Sequence, residues 1–112
     1  MKTQLKFNYH DAILETLKFQ QNTLEMDISL YSVFYPTRPK VKFVVENITN
    51  SITCEKWIRE VTTAYYEENE DTLGARINSI DFDENNAHQI LISVDSVKTL
   101  KLKFNNVKEI LI

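Results

Sequence analysis

The chain of 112 residues contains one glycine, two prolines and one cysteine. So little glycine and proline leaves no room for low-complexity linkers or a glycine-rich phosphate loop. A single cysteine, Cys54, has no partner for an internal disulfide. The apolar runs are only a few residues long, too short for a membrane-spanning helix. The opening Met1-Lys2-Thr3-Gln4-Leu5-Lys6 lacks the apolar core of a signal peptide, so a cytoplasmic protein is the expectation. One domain spanning 1–112 is expected at this length.

What is present is ordinary for a folded protein, with 43% apolar and 26% charged residues. The net charge is −3, but it is distributed unevenly. Residues 65–84 hold Glu67, Glu68, Glu70, Asp71, Asp81, Asp83 and Glu84 against Arg76 alone. The tail carries Lys98, Lys101, Lys103 and Lys108 against Glu109. An acidic stretch disfavours nucleic acid as a partner and suits a basic protein surface. Its plainer reading is a solvated helix end and loop.

The chain repeats itself. Residues 41–48 read Val-Lys-Phe-Val-Val-Glu-Asn-Ile and residues 100–107 read Leu-Lys-Leu-Lys-Phe-Asn-Asn-Val. Each follows an alternating segment, Leu24-Met26-Ile28 in the first unit and Ile90-Ile92-Val94 in the second. Each unit opens on an earlier strand: residues 13–19, with Ile13, Leu17 and Phe19 on one face, and residues 77–82. Alternation at period two means half-buried strands, and short connections favour antiparallel neighbours. The units span roughly 10–49 and 75–112. Residues 107–112 offer a last short strand.

Between the units, Cys54, Trp57, Ile58, Val61, Ala64 and Tyr65 fall on one face of a helix over roughly 51–69. Ser51 or Thr53 is positioned to cap it. Val61-Thr62-Thr63 weakens the helix and keeps a strand as the alternative. Gly74 is expected in a turn of positive φ. The predicted fold is therefore α+β: a curved antiparallel sheet or partly open barrel of about six strands, in two three-stranded units, with one helix packed on it.

The units differ where the first inserts Phe34-Tyr35-Pro36-Thr37-Arg38-Pro39. Rigid aromatics and an Arg have the composition of interface anchors. The alternative is a loop that folds its aromatics back over the sheet edge.

No motif carries a reaction. His10-Asp11 lacks the further ligands a metal phosphohydrolase needs and reads as a hydrogen-bonding turn. Cys54 lies on the apolar helix face, as a core residue would. Glu67-Glu68 and Asp81-Asp83 are the candidate acid–base pairs, but an exposed acidic run lacks surroundings that would split their pKa values. No cofactor or metal is expected, and no enzymatic activity.

The opening His10-Asp11-Ala12, followed by two strands and a third ending Val45-Glu46-Asn47-Ile48, resembles small immunity proteins of bacterial polymorphic-toxin and contact-dependent growth inhibition systems. The resemblance covers most of the chain and assigns no specific family. It implies a cytoplasmic protein that binds a cognate toxin domain and blocks its active site, with neither nucleic acid nor membrane as partner. The residues expected to meet a basic toxin are Tyr35, Arg38, Glu67, Glu68, Glu70, Asp71, Asp81 and Asp83. Self-association as a homodimer, through an exposed strand or the aromatic loop, is the alternative.

Overall fold

The computed structural model describes residues 5–65 and 72–112. Seven antiparallel strands and one helix follow in the order β1 (Ile13–Gln20), β2 (Thr23–Ser29), β3 (Lys40–Glu46), α1 (Ser51–Tyr65), β4 (Ala75–Asp83), β5 (Asn86–Val94), β6 (Leu100–Lys103) and β7 (Asn106–Leu111). The α+β fold, a helix packed on a curved open sheet, is the one the alternation predicts. The seventh strand is the short one that residues 107–112 offered.

The strands are ordered β6-β5-β4-β1-β2-β3-β7. Each three-stranded unit is a meander, and the two meet back to back where β1 pairs with β4. That seam is short, with only Ile13 opposite Arg76 and Leu14 opposite Ala75. The terminal strands β6 and β7 are nevertheless joined by just Phe104 and Asn105. A link of two residues between opposite ends of the strand order requires the sheet to curl back on itself. Its closing contacts are Thr49 N–H to the Lys103 carbonyl and Asn105 N–H to the Glu46 carbonyl, at 2.9 and 3.1 Å.

The core fills the inside of this curl and is built of aliphatic and aromatic side chains with Cys54; its polar side-chain atoms among the described residues are the Tyr9 hydroxyl and the Trp57 Nε1. Leu24, Met26 and Ile28 of β2 alternate into it, as do Leu100 and Leu102 of β6. β1 departs from the expected face. A bulge between Leu14 and Thr16 inserts Glu15, and one extra residue moves every side chain before it to the other face. Leu14, not Ile13, therefore joins Leu17 and Phe19 on the core side, opposite Ile28, Met26 and Leu24. The Glu15 carbonyl freed by the bulge accepts the Leu73 N–H at 2.8 Å.

The helix forms despite its β-branched residues because it buries Cys54, Trp57 and Val61 at i, i+3 and i+7. Ala64, placed on that face by periodicity, is exposed. Residues 66–69 of the predicted helix lie outside the described residues. The cap is neither Ser51 nor Thr53. The Asn50 carbonyl accepts the Cys54 N–H at 3.2 Å, and the Asn50 side chain turns to β6, donating to the Lys101 carbonyl at 2.8 Å and accepting the Lys103 N–H at 2.9 Å. One amide thus supplies the free edge of β6 with the pair of bonds a neighbouring strand would give. Gly74 has a φ of 63°, the left-handed turn expected of it.

Two buried groups set an alkaline limit. Burial, aided by the nearby Glu55 charge, pushes the Cys54 thiol from 9.0 up to about 12. Burial first, then its hydrogen bond to Glu109, holds the Tyr9 phenol above its usual 10.0. Both native values are raised, so their contribution to stability is complete below the unfolded values and is lost as pH climbs toward the native ones. Stability is expected to begin falling near pH 9 as the thiol of the unfolded chain ionises. Each group steepens the decline by about 1.4 kcal/mol per pH unit within its window. Urea titrations between pH 8 and 11 test this: Cys54→Ala should remove the loss that starts near pH 9, and an unchanged curve would refute it.

Candidate functional site: an acidic cleft beside β4

Before β1 the chain crosses the sheet as a strap, residues 5–9, held by one carboxylate. Glu109 of β7 accepts the Lys6 N–H at 2.8 Å, the Phe7 N–H at 3.3 Å and the Tyr9 hydroxyl at 2.7 Å. Tyr9 is buried and meets Phe43 edge-on, with ring centroids 5.2 Å apart. From the other side Tyr35 braces the strap. Its hydroxyl accepts the Asn8 N–H at 2.9 Å, and its ring packs edge-on against Phe7 at 6.1 Å.

The strap ends in the His10-Asp11 turn, where Asp11 takes a positive φ of 59°. Asn8 Oδ1 accepts the His10 N–H, and Arg76 donates from Nε to Asp11 at 2.7 Å. Asp11 N–H and the Ala12 carbonyl then bond to both backbone groups of Ile77. These bonds extend the pairing of β4 by one residue past the end of β1. His10 Nδ1 lies 3.0 Å from the Asn78 carbonyl. Beyond that point no backbone hydrogen bond reaches the outer edge of β4 among the described residues.

That bare edge forms one wall of an open cleft of about 690 Å³. The strap and His10 form another wall, and the β4–β5 turn closes one end. Every residue from 78 to 87 lines it. Side chains alternate across a strand, so lining by consecutive residues means that the cleft faces the edge of β4 rather than one side of the sheet. Among the described residues its carboxylates are Asp81, Asp83 and Glu84, and no Lys or Arg lines it. Asp81 and Glu84 are exposed. Asp83 accepts the Asn85 N–H at 2.8 Å and lies 3.6 Å from Lys101 Nζ, which stands outside the lining.

The structure therefore brings Asp81 and Asp83 together in the cleft, whose lining includes neither Tyr35 nor Arg38. Tyr35 folds back onto the strap. Arg38 is exposed in the inserted loop, at a φ of 48°, with no ion pair among the described residues. Glu67, Glu68, Glu70 and Asp71 lie outside the described residues. The inserted loop divides between its two readings, because Val33 and Phe34 beside the folded-back Tyr35 stay 68% and 45% exposed. Sequence reasoning missed the strap, its clamp Glu109 and the bare edge of β4. No local signal marks them, since Tyr9 and Glu109 are 100 positions apart.

No protein-family model matches the chain, and comparison with curated proteins and with solved structures finds no match either.

Proposed function

We propose that this protein is a non-enzymatic immunity protein, which binds a basic toxin domain, such as a nuclease, and occludes its active site. The observation that carries the reading is the cleft, which Asp81, Asp83 and Glu84 line with no Lys or Arg among the described residues. An acidic surface steers a basic partner into encounter and disfavours wrong ones. The chemistry of the candidate nucleophile supports binding over catalysis. A nucleophilic thiol needs its pKa lowered, whereas that of Cys54 is raised.

The test is expression, in a bacterial host, of the C-terminal domain encoded by the reading frame adjoining this gene, with and without this protein. Arrest of growth by that domain alone and recovery on co-expression is the expected result. Arrest that persists on co-expression, or no arrest at all, would sink the proposal.

Self-association is favoured by a separate feature. Ile110, Leu111 and Ile112 on and beyond the edge strand β7 are 47%, 60% and 67% exposed, and exposed apolar edges pair readily. Sedimentation across a concentration series separates the two readings.

A further inference from the structure

We propose that the edge of β4 at residues 78–83 is a strand-addition site, which accepts an extended, basic segment of a partner polypeptide as an extra strand. The inference rests on the reading of this protein as one that binds a protein partner, and it specifies how that partner is held.

Exposed strand edges are ordinarily covered, because unpaired N–H and C=O groups recruit other strands. This chain covers the free edge of β6 with Asn50 and continues the short β1–β4 seam through Asp11 and Ala12. The edge of β4 beyond Asn78 has no such cover among the described residues, and it opens into a cleft instead of lying flat on the surface. The regularly paired run Ser79–Phe82 lies between two register shifts and spans roughly 13 Å, room for a short extended segment. The volume falls within the roughly 300–1,000 Å³ usual for ligand sites.

The register across β4 and β5 specifies the chemistry of the occupant. Ile80 lies opposite Ile92, and Phe82 opposite Ile90. Ile80, Ile90 and Ile92 are buried, so this face of β4 belongs to the core. Asp81 points to the other face, opposite Leu91. Residues directly opposite on neighbouring strands share a face and interact. A segment beside β4 would therefore place apolar side chains next to Ile80 and Phe82 and a basic one next to Asp81. The hydrogen bonds to β4 would supply affinity, and the alternation specificity.

The probe is a ten-residue peptide alternating valine and lysine, with blocked ends, added to the full-length protein and followed by backbone amide NMR. Two further peptides carry N-methyl groups on the lysine amides or on the valine amides, and a fourth has glutamate in place of lysine. The expected result is a shift of the amides of residues 78–83. Only one of the two methylation patterns should abolish binding, since alternate N–H groups face β4. Affinity should fall at least tenfold with the glutamate peptide and severalfold with Asp81→Asn. Absence of shifts along β4, or binding equally tolerant of both methylation patterns, would overturn the proposal. So would shifts along β4 that vanish on diluting the protein alone, because the occupant would then be a second copy. The growth assay above does not depend on the peptide result, so the cleft and the immunity reading fail separately.

Discussion

Replacing Glu109 with alanine is expected to cost about 3 kcal/mol of stability and to release the strap that walls the cleft. The carboxylate accepts hydrogen bonds from the Lys6 and Phe7 amides and from the Tyr9 hydroxyl. Bonds to a charged group contribute about 1.5–3 kcal/mol each, less where solvent competes. The Lys6 amide is exposed, so most of the loss comes from the Tyr9 hydroxyl, which would be left in a buried residue without its acceptor. Glu109→Gln keeps one acceptor oxygen and should lose about half as much, and Tyr9→Phe about 1 kcal/mol, because it removes the hydroxyl donor, keeps the buried ring against Phe43 and leaves no buried donor unsatisfied. Urea denaturation measures all three. Additive losses for Glu109→Ala and Tyr9→Phe in the double variant would show that the two side chains are not coupled, and would refute the clamp.

Under the proposed function, reversing the cleft charge with Asp81→Lys and Glu84→Lys is expected to slow association with a basic toxin domain about ten- to a hundredfold at low salt, the scale on which steering acts. The loss should shrink as salt approaches 1 M, where the screening length is about 3 Å. The effect belongs chiefly to the association rate, because both side chains are exposed and rim charges act on encounter. Stopped-flow association across a salt series provides the measurement. An association rate unchanged by the reversal would remove Asp81 and Glu84 from the encounter surface. Asp83 is left intact here because its bond to the Asn85 amide shapes the β4–β5 turn.

Much of the fold was legible because it rests on local pattern. Leu24-Met26-Ile28 and Leu100-Leu102 announce strands through period two, and Cys54, Trp57 and Val61 announce a helix through its own period. Alternation alone puts the start of β1 on the wrong face, since a bulge at Glu15 leaves no mark in composition and shifts only the residues before it. The helix cap was misplaced for a different reason. Asn50 is a fit capping residue by type, but the curl of the sheet brings its side chain to the unpaired edge of β6, where it makes two bonds.

The candidate site was only half legible. Asp81 and Asp83 stood out as part of an acidic run, but nothing in the run separates a wall of a cleft from a solvated loop. Tyr35 stands out by composition as an interface anchor, but no local pattern shows that its ring packs on Phe7 and its hydroxyl accepts the Asn8 N–H.

The sequence by itself therefore determined the elements, the two three-stranded units and the sign of the charge, because each depends on residues within a few positions of one another. The tertiary structure alone decided where that charge acts. β1 and β4 pair for two residues and then part, Glu109 holds the strap across the gap, and a strand edge unpaired among the described residues is left beside carboxylates. All three depend on contacts between segments some 60 to 100 residues apart, whose geometry no local pattern encodes.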